Sequence, residues 1–151
     1  MIVFLSCTKE KMDKKCKAID MYSKSDLFSK CYEYAKSLNP DKIYILSAKH
    51  HLLSPDDIIS PYNETLKDFS VDDRKEWTEI VLNQLKKEHI NFNEKVYFLC
   101  GEDYIEFLKD HFHNKECVFD GKGGIGDIMH WLDVKNNIKE SLVEYLKKTM
   151  K

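Results

Sequence analysis

The stretch that decides the fold is Met1 to Lys9 (MIVFLSCTK), in which five consecutive apolar residues run directly into small and polar ones. A continuous apolar run of this length is typical of a strand that is buried on both faces of a parallel sheet. The pattern recurs in Lys42 to Leu46 (KIYIL) and Lys95 to Leu99 (KVYFL), and Cys117-Val118-Phe119 is a shorter candidate. We therefore predict a mainly parallel sheet of about four strands.

Helical patterns separate these strands and follow the last of them. Five segments carry apolar residues at helical spacing: Asp26 to Leu38, Asp72 to Glu88, Glu102 to His111, Gly126 to Leu132 and Asn137 to Met150. Ser25 precedes the first of these helices and suits the N-cap position. The alternation of strands and helices predicts a three-layer α/β/α fold, and 151 residues suit a single domain spanning positions 1 to 151.

Composition narrows the class of protein. No apolar run is long enough for a membrane span or for the core of a signal peptide, so we expect a cytoplasmic protein without a membrane partner. The five cysteines form no CxxC pair, which indicates reduced thiols and argues against structural zinc. Because the formal net charge is −2, any contact with nucleic acid has to be local.

One local basic segment exists. Residues 9–17 contain five lysines and only two acids: Lys9, Lys11, Lys14, Lys15, Lys17, Glu10 and Asp13. This segment would suit phosphate groups, but an ordinary solvated loop is an equally open interpretation, because lysine-rich surfaces are common in proteins that bind no polyanion. Arg74 is the single arginine, so bidentate phosphate clamps are scarce.

Polar or small residues follow every predicted strand. With right-handed crossovers the carboxyl ends of the strands share one edge, which is where open α/β sheets bind ligands. We predict a binding site at this edge, built from these residues: Ser6, Cys7, Lys9, Ser47, Lys49, His50, Gly101, Glu102, Asp103, Tyr104, Gly124 and Gly126. The alternative is that Ser, Asp and Gly serve only as caps and turn formers there.

Several common sites do not fit the sequence. Gly121 to Gly126 matches GxGxxG, but no strand with an acidic residue follows it, so a dinucleotide site is not expected. Its glycines would still offer backbone N–H groups to a phosphate or carboxylate. No arginine follows Cys7 at the distance at which a phosphatase loop needs one to hold a phosphate, so a phosphatase site is not expected. His111 and His113 lack a third metal ligand, so we expect no metal.

The run Leu46 to Tyr62 (LSAKHHLLSPDDIISPY) resembles the LSGxxGhLxPxDhhxPY signature of YaaA-type peroxide-stress proteins, with His51 in place of a glycine. Leu5-Ser6 with Lys9, Tyr22, and Leu99 to Tyr104 agree with the same family in the same order. The chain looks closest to short bacterial and phage members without an assigned reaction. Leu5, Ser6, Cys7, Thr8 and Lys11 are also similar to a pattern in the core domain of archaeosine synthases, which modify a deazaguanine base in transfer RNA.

The resemblance implies that the partner is a nucleic acid, nucleoside or nucleotide and that the protein is linked to oxidative DNA damage. We expect an enzyme, without a cofactor, that excises or modifies a base in the manner of an N-glycosidase. The expected roles are a carboxylate from Glu102 or Asp103, proton transfer by His50, stacking by Tyr62 or Tyr22, orientation by Ser47, a phosphate contact from Lys9, and further contacts from Asp57. The alternative is a non-catalytic DNA-binding stress protein.

Overall fold

The computed structural model describes residues 1–149, and its organising element is a five-stranded sheet. The sheet consists of β1 (Ile2–Ser6), β3 (Lys42–Ser47), β4 (His51–Leu53), β6 (Val96–Leu99) and β7 (Lys115–Cys117). Two further strands, β2 (Cys16–Lys17) and β5 (Ile58–Ile59), form a separate antiparallel pair. The order in the main sheet is β4-β3-β1-β6-β7, so the strand nearest the start of the chain lies at the centre.

The parallel α/β prediction is confirmed. β1 pairs in parallel with both β3 and β6, and β6 pairs in parallel with β7. Three short strands are missing from the prediction: β2 and β5, which pair with each other, and β4, which turns back to pair antiparallel with the end of β3. Strands of two or three residues are too short to show a period of alternation, so no sequence pattern indicates them.

The predicted strand Cys117–Phe119 was misplaced by two residues. The strand is β7, Lys115–Cys117, and its first two residues are exposed at the edge of the sheet. Val118 is buried at the end of this strand, and its N–H donates to the Phe98 carbonyl at 3.0 Å. The apolar residues therefore mark the end of the strand, while an edge position accepts the charged residues before it.

The helices of the described chain are α1 (Ala18–Met21), α2 (Asp26–Ser37), α3 (Val71–Lys87), α4 (Glu102–Ile105) and α5 (Ile125–Thr149), with 3₁₀ turns at Leu66–Asp68 and Lys109–His111. Ser25 caps α2 as predicted, because its Oγ accepts the N–H of Phe28 at 3.2 Å. None of the described helices has both the length and the apolar character needed to cross a bilayer.

Two helix predictions need correction. The segment Glu102 to His111 forms only α4 and then a 3₁₀ turn, rather than one helix. The segments Gly126 to Leu132 and Asn137 to Met150 are one continuous helix, because the residues between them include neither glycine nor proline. Met150 itself lies outside the described residues.

The direction of the chain across the sheet reverses at β1. The connection from β1 to β3 runs one way, and the connection from β3 to β6 runs back past β1. Right-handed crossovers place α2 on one face and α3 on the other under this reversal. In agreement, α5 packs on α2, whereas α3 packs against β4 and α4. The carboxyl end of β1 is therefore a topological switch point, the usual place for a ligand in such sheets.

The N-cap of α3 allows a prediction about stability. This helix begins at Val71, one residue before the predicted start at Asp72. Ser70 caps this helix, and its Oγ accepts the N–H of Asp73 at 3.1 Å. Ser70→Ala should lower the free energy of unfolding by about 1 kcal/mol in urea denaturation. Ser70→Asp keeps an acceptor oxygen and should leave stability nearly unchanged; equal losses in both variants would contradict the cap.

Candidate functional site

The candidate site lies at the carboxyl ends of three adjacent strands. Cys7 directly follows β1, Ser47 ends β3, and Tyr104 lies in α4 just after β6. The Cys7 N–H donates to the Leu46 carbonyl at 2.9 Å, which extends the β1–β3 pairing up to the site. Parallel pairing thus brings together residues that lie far apart in the sequence.

Ser47 is the centre of a chain of hydrogen bonds. Its Oγ accepts the His50 N–H at 3.0 Å and donates to Tyr62 Oη at 2.8 Å. Tyr62 Oη in turn contacts Tyr22 Oη at 2.5 Å. The Ser47 carbonyl accepts the indole N–H of Trp77 at 2.9 Å. Ser47 is fully buried, and these contacts satisfy both of its acceptor groups.

Two long loops carry the tyrosines into this chain. Tyr22 lies in the segment between β1 and α2, and Tyr62 lies between β3 and α3. The loops are joined by the β2–β5 pair and by two further backbone bonds: the Ala18 N–H donates to the Asp57 carbonyl at 2.7 Å, and the Ile19 N–H donates to the Pro55 carbonyl at 3.0 Å. Backbone pairing between the loops therefore holds the two phenols together.

The Cys7 thiol lies beside these phenols. Its Sγ is 3.0 Å from Tyr104 Oη, and the residue is only 8% exposed. The ammonium of Lys11 lies 4.6 Å from the centroid of the Tyr62 ring. We call the set Cys7, Lys11, Tyr22, Ser47, His50, Tyr62, Trp77 and Tyr104 the Cys7 cluster.

Burial controls the ionisation of the Cys7 cluster. It raises the pKa of the Tyr22, Tyr62 and Tyr104 phenols, and proximity to Cys7 raises each of them further. The same loss of solvent lowers the pKa of the Lys11 ammonium, while the Cys7 thiol opposes that shift. The phenols therefore stay protonated at neutral pH and act as hydrogen-bond donors.

Two neighbouring histidines face this region. The His50 ring lies edge-on to the Tyr62 ring with centroids 5.4 Å apart, and its Nε2 is buried without a hydrogen-bond partner among the described residues. The His51 ring stacks on Trp77 at 6.2 Å. Burial lowers the pKa of both imidazoles, and the charge of Lys49 lowers that of His50 further. Both rings are therefore mainly neutral at pH 7.

The structure brings together six of the residues predicted from sequence, namely Cys7, Tyr22, Ser47, His50, Tyr62 and Tyr104. Ser6 ends β1 directly before Cys7 and is half-buried. Gly101 is the exposed N-cap of α4, and Asp103 lies in the first turn of that helix.

Other predicted residues have different partners. Glu102 Oε1 accepts from Lys109 Nζ at 2.7 Å at the surface, so this carboxylate is not part of the Cys7 cluster. Asp57 Oδ2 accepts the Ser54 N–H at 2.8 Å and closes a turn. Lys49 and Lys9 are exposed, and the Lys9 carbonyl accepts from Lys11 Nζ at 3.3 Å.

The glycine segment before α5 is a poor anion site. The Gly124 N–H already donates to Asp127 Oδ2 at 3.3 Å. A carboxylate at this helix start would repel the phosphate or carboxylate ligand that Gly124 and Gly126 were predicted to bind. Both glycines are also exposed and follow β7 rather than the three central strands.

Lys11 and Trp77 were not predicted as site residues. Lys11 belongs to the basic segment, residues 9–17, and to the pattern similar to that of archaeosine synthases. The sequence therefore did contain an indication that Lys11 is a site residue. Trp77 matched only the apolar face of a helix, and no local pattern indicates that its N–H reaches Ser47. Within the described residues, no group of three or more His, Cys, Asp or Glu side chains is placed to hold a metal ion.

Comparison with known proteins places the site within a family. The model of the family of unknown function DUF6884 matches residues 2–134. The chain belongs to the DUF6884 family. The DUF6884 match contains the whole Cys7 cluster and ends within α5. A search of curated proteins found no match.

The depressed histidine pKa values predict how stability depends on pH. Because the folded state favours neutral His50 and His51, the unfolded chain takes up more protons once the pH falls below the ordinary value of 6.5. We expect the thermal unfolding midpoint to fall from pH 7 to pH 5, and to fall less in a His50→Gln/His51→Asn variant. Asparagine suits position 51 because φ is +64° there. His130→Gln, at an exposed position, should follow the wild-type profile; an unchanged slope in the double variant would contradict the assignment.

Proposed function

We propose that this protein is an enzyme that modifies a nucleobase or nucleoside bound against the Cys7 cluster. The observation that carries the proposal is the convergence of a thiol, an amine and protonated phenols at the switch point of the sheet. Phenol and imidazole groups can hydrogen-bond the heteroatoms of a base, and their rings can stack on it. The unpartnered His50 Nε2 is an atom that such a ligand would satisfy.

The surroundings favour modification of a base over its excision. Glycosidic cleavage builds positive charge on the sugar, which a nearby carboxylate stabilises. The Cys7 cluster contains no carboxylate; of the two predicted acids, Glu102 is bound to Lys109, and Asp103 lies in the first turn of α4 outside the cluster. A thiol, an amine and neutral donors instead suit addition to the base itself.

The resemblance to YaaA-type proteins supports the same class of substrate. Its signature has a glycine where this chain has His51, and His51 adopts φ +64°, a conformation that glycine adopts without cost. At this position the chain thus has a backbone conformation that suits the glycine of the signature, although the residue differs. The similarity of Leu5 to Lys11 to the archaeosine synthase pattern gains weight because Cys7 and Lys11 both belong to the cluster.

The direct test is incubation with normal and modified nucleosides, free bases and oligonucleotides, followed by mass spectrometry. We expect a change in the mass of a base that remains attached to its sugar. Release of the free base would show excision instead. No change in any compound, together with salt-sensitive DNA binding, would refute an enzyme acting on these substrates.

A variant tests whether the Cys7 cluster is the site of that activity. Tyr62→Phe keeps the ring but removes the hydroxyl that joins Ser47 to Tyr22, so activity on the identified substrate should fall by about tenfold or more. Tyr32→Phe is a matched control, because Tyr32 lies in α2, outside the cluster, beneath Lys36 at 4.5 Å. Equal activities in the two variants would place the site elsewhere.

A second candidate function is non-catalytic DNA binding. It is favoured by the exposure of Lys9, Lys14 and Lys15 close to the site. The combined charge of the two loops argues against DNA binding. Residues 8–25 carry six lysines and three acids, whereas residues 48–70 carry two lysines and four acids. Lys17 is also paired with Asp56 at 3.5 Å. The two loops together are therefore close to neutral, and a neutral surface attracts a polyanion only weakly.

Salt dependence separates the two candidates. A phosphate-tracking protein loses affinity for DNA by several orders of magnitude between low and moderate salt. Fluorescence anisotropy with a labelled oligonucleotide should show at most a shallow slope here, and Lys9→Ala/Lys14→Ala/Lys15→Ala should not alter turnover of a free nucleoside. A steep slope that the triple variant abolishes would favour the DNA-binding protein.

A further inference from the structure

We propose that Cys7 is the nucleophile of this site and forms a transient covalent bond with an electrophilic ring carbon of a heterocyclic base. The inference rests on the proposed function and names the class of substrate: a planar base with a polarised ring C=N bond. It assigns the chemical step to a residue that the sequence predicted only as a binding contact.

The five cysteines differ in their surroundings, and the difference singles out Cys7. Cys100 Sγ donates to the Phe4 carbonyl at 3.3 Å, and Cys31 is buried on the inner face of α2. Cys16 and Cys117 lie in β2 and β7 rather than directly after the central strand β1. Cys7 is the one beside a phenol donor, in the same cluster as a partly buried amine.

The neighbours of Cys7 match what a nucleophilic thiol requires. A thiolate needs hydrogen-bond donors or positive charge close to the sulfur. Tyr104 Oη is 3.0 Å away and, being held in its protonated form by burial, can donate to the sulfur. Lys11 supplies the amine, and its lowered pKa leaves more of the neutral form that can accept a proton.

The step can be written with all atoms and electrons accounted for. The Cys7 thiol proton passes to the neutral Lys11 amine, and a sulfur electron pair forms a C–S bond with the ring carbon of the base. The π pair of that C=N bond moves onto the ring nitrogen, which takes the proton from Lys11. The adduct is the sum of thiol and base, so no oxidant, reductant or leaving group is involved, and reversal regenerates Cys7.

The neighbouring groups have separate duties in this step. The chain Ser47–Tyr62–Tyr22 fixes the aromatic ring beneath Lys11 and so positions the amine. His50 Nε2, which is buried beside Tyr62 without a partner among the described residues, is the atom that we assign to hydrogen-bond the base. Ser47, Tyr62 and Tyr22 are thus positioning residues, whereas Cys7 and Lys11 touch the reacting atoms.

The first arm of the test measures the intrinsic reactivity of the thiol. In a Cys16→Ser/Cys117→Ser background, iodoacetamide labelling near pH 7 is followed by peptide mass spectrometry. Cys7 should react faster than Cys31 and Cys100, and Lys11→Met should slow it by about tenfold. Lys36→Met is the matched control, because Lys36 lies over Tyr32 in the same lysine–tyrosine arrangement. Lys11→Arg keeps a long basic side chain but cannot become neutral and accept the thiol proton, so it should slow the labelling as well and replaces Lys11→Met if that variant fails to fold.

The second arm uses the compound that the base panel identifies. Cys7→Ser should lower turnover by about a thousandfold or more while the compound still binds, and acid quenching of the wild type should trap an adduct of protein plus base. If Cys7 is labelled no faster than Cys31, the inference is overturned. It is also overturned if Cys7→Ser turns the compound over within a few-fold of the wild-type rate, although the proposed function still stands in that case. Fast labelling of Cys7 without turnover of any base refutes the proposed function and the base as its partner.

Discussion

The site depends on the burial of one hydroxyl, that of Ser47. A buried hydroxyl without partners destabilises the fold, so Ser47 has to be satisfied by groups that come to it. The hydroxyl is satisfied by His50 from the following turn and by Tyr62 from the long loop after β4, while the Ser47 carbonyl accepts from Trp77 in α3. Through its hydroxyl and its carbonyl, one residue at the end of a strand thereby fixes the positions of two loops and a helix.

The central position of β1 turns this local arrangement into a site. Because the chain reverses direction there, the loops after β1, β3 and β6 leave toward different faces, which is the arrangement that places ligands at this end of open α/β sheets. The loop after β1 is bound to the loop after β4 through β2 and β5, and the hydroxyls of Tyr22 and Tyr62 meet where these two loops join. Burial at this point raises the pKa of both phenols and lowers the pKa of the Lys11 ammonium.

The sequence predicted what depends on strands and failed where partners are distant. Apolar runs located β1, β3 and β6, and the rule that their carboxyl ends share an edge placed Cys7, Ser47 and Tyr104 together. The rule could not tell which polar side chains turn inward. Lys9 and Lys11 are two residues apart, yet Lys11 lies over Tyr62 while Lys9 is exposed, and this difference depends on a ring contributed by residue 62. Glu102 shows the same limit, because the sequence does not indicate that Lys109, seven residues later, binds its carboxylate.

The charge of the Cys7 cluster limits what it can bind. Its phenols and imidazole are neutral at pH 7. Lys11 is the one amine of the cluster, and burial lowers the pKa of its ammonium group. The single arginine, Arg74, is committed to Glu106 at 3.2 Å and to the Phe69 carbonyl at 3.4 Å. A phosphate bound in this cluster would lack the two or more charged donors that usually hold it. A neutral, planar and hydrogen-bonding ligand fits these surroundings better, and a heterocyclic base is a molecule of that kind.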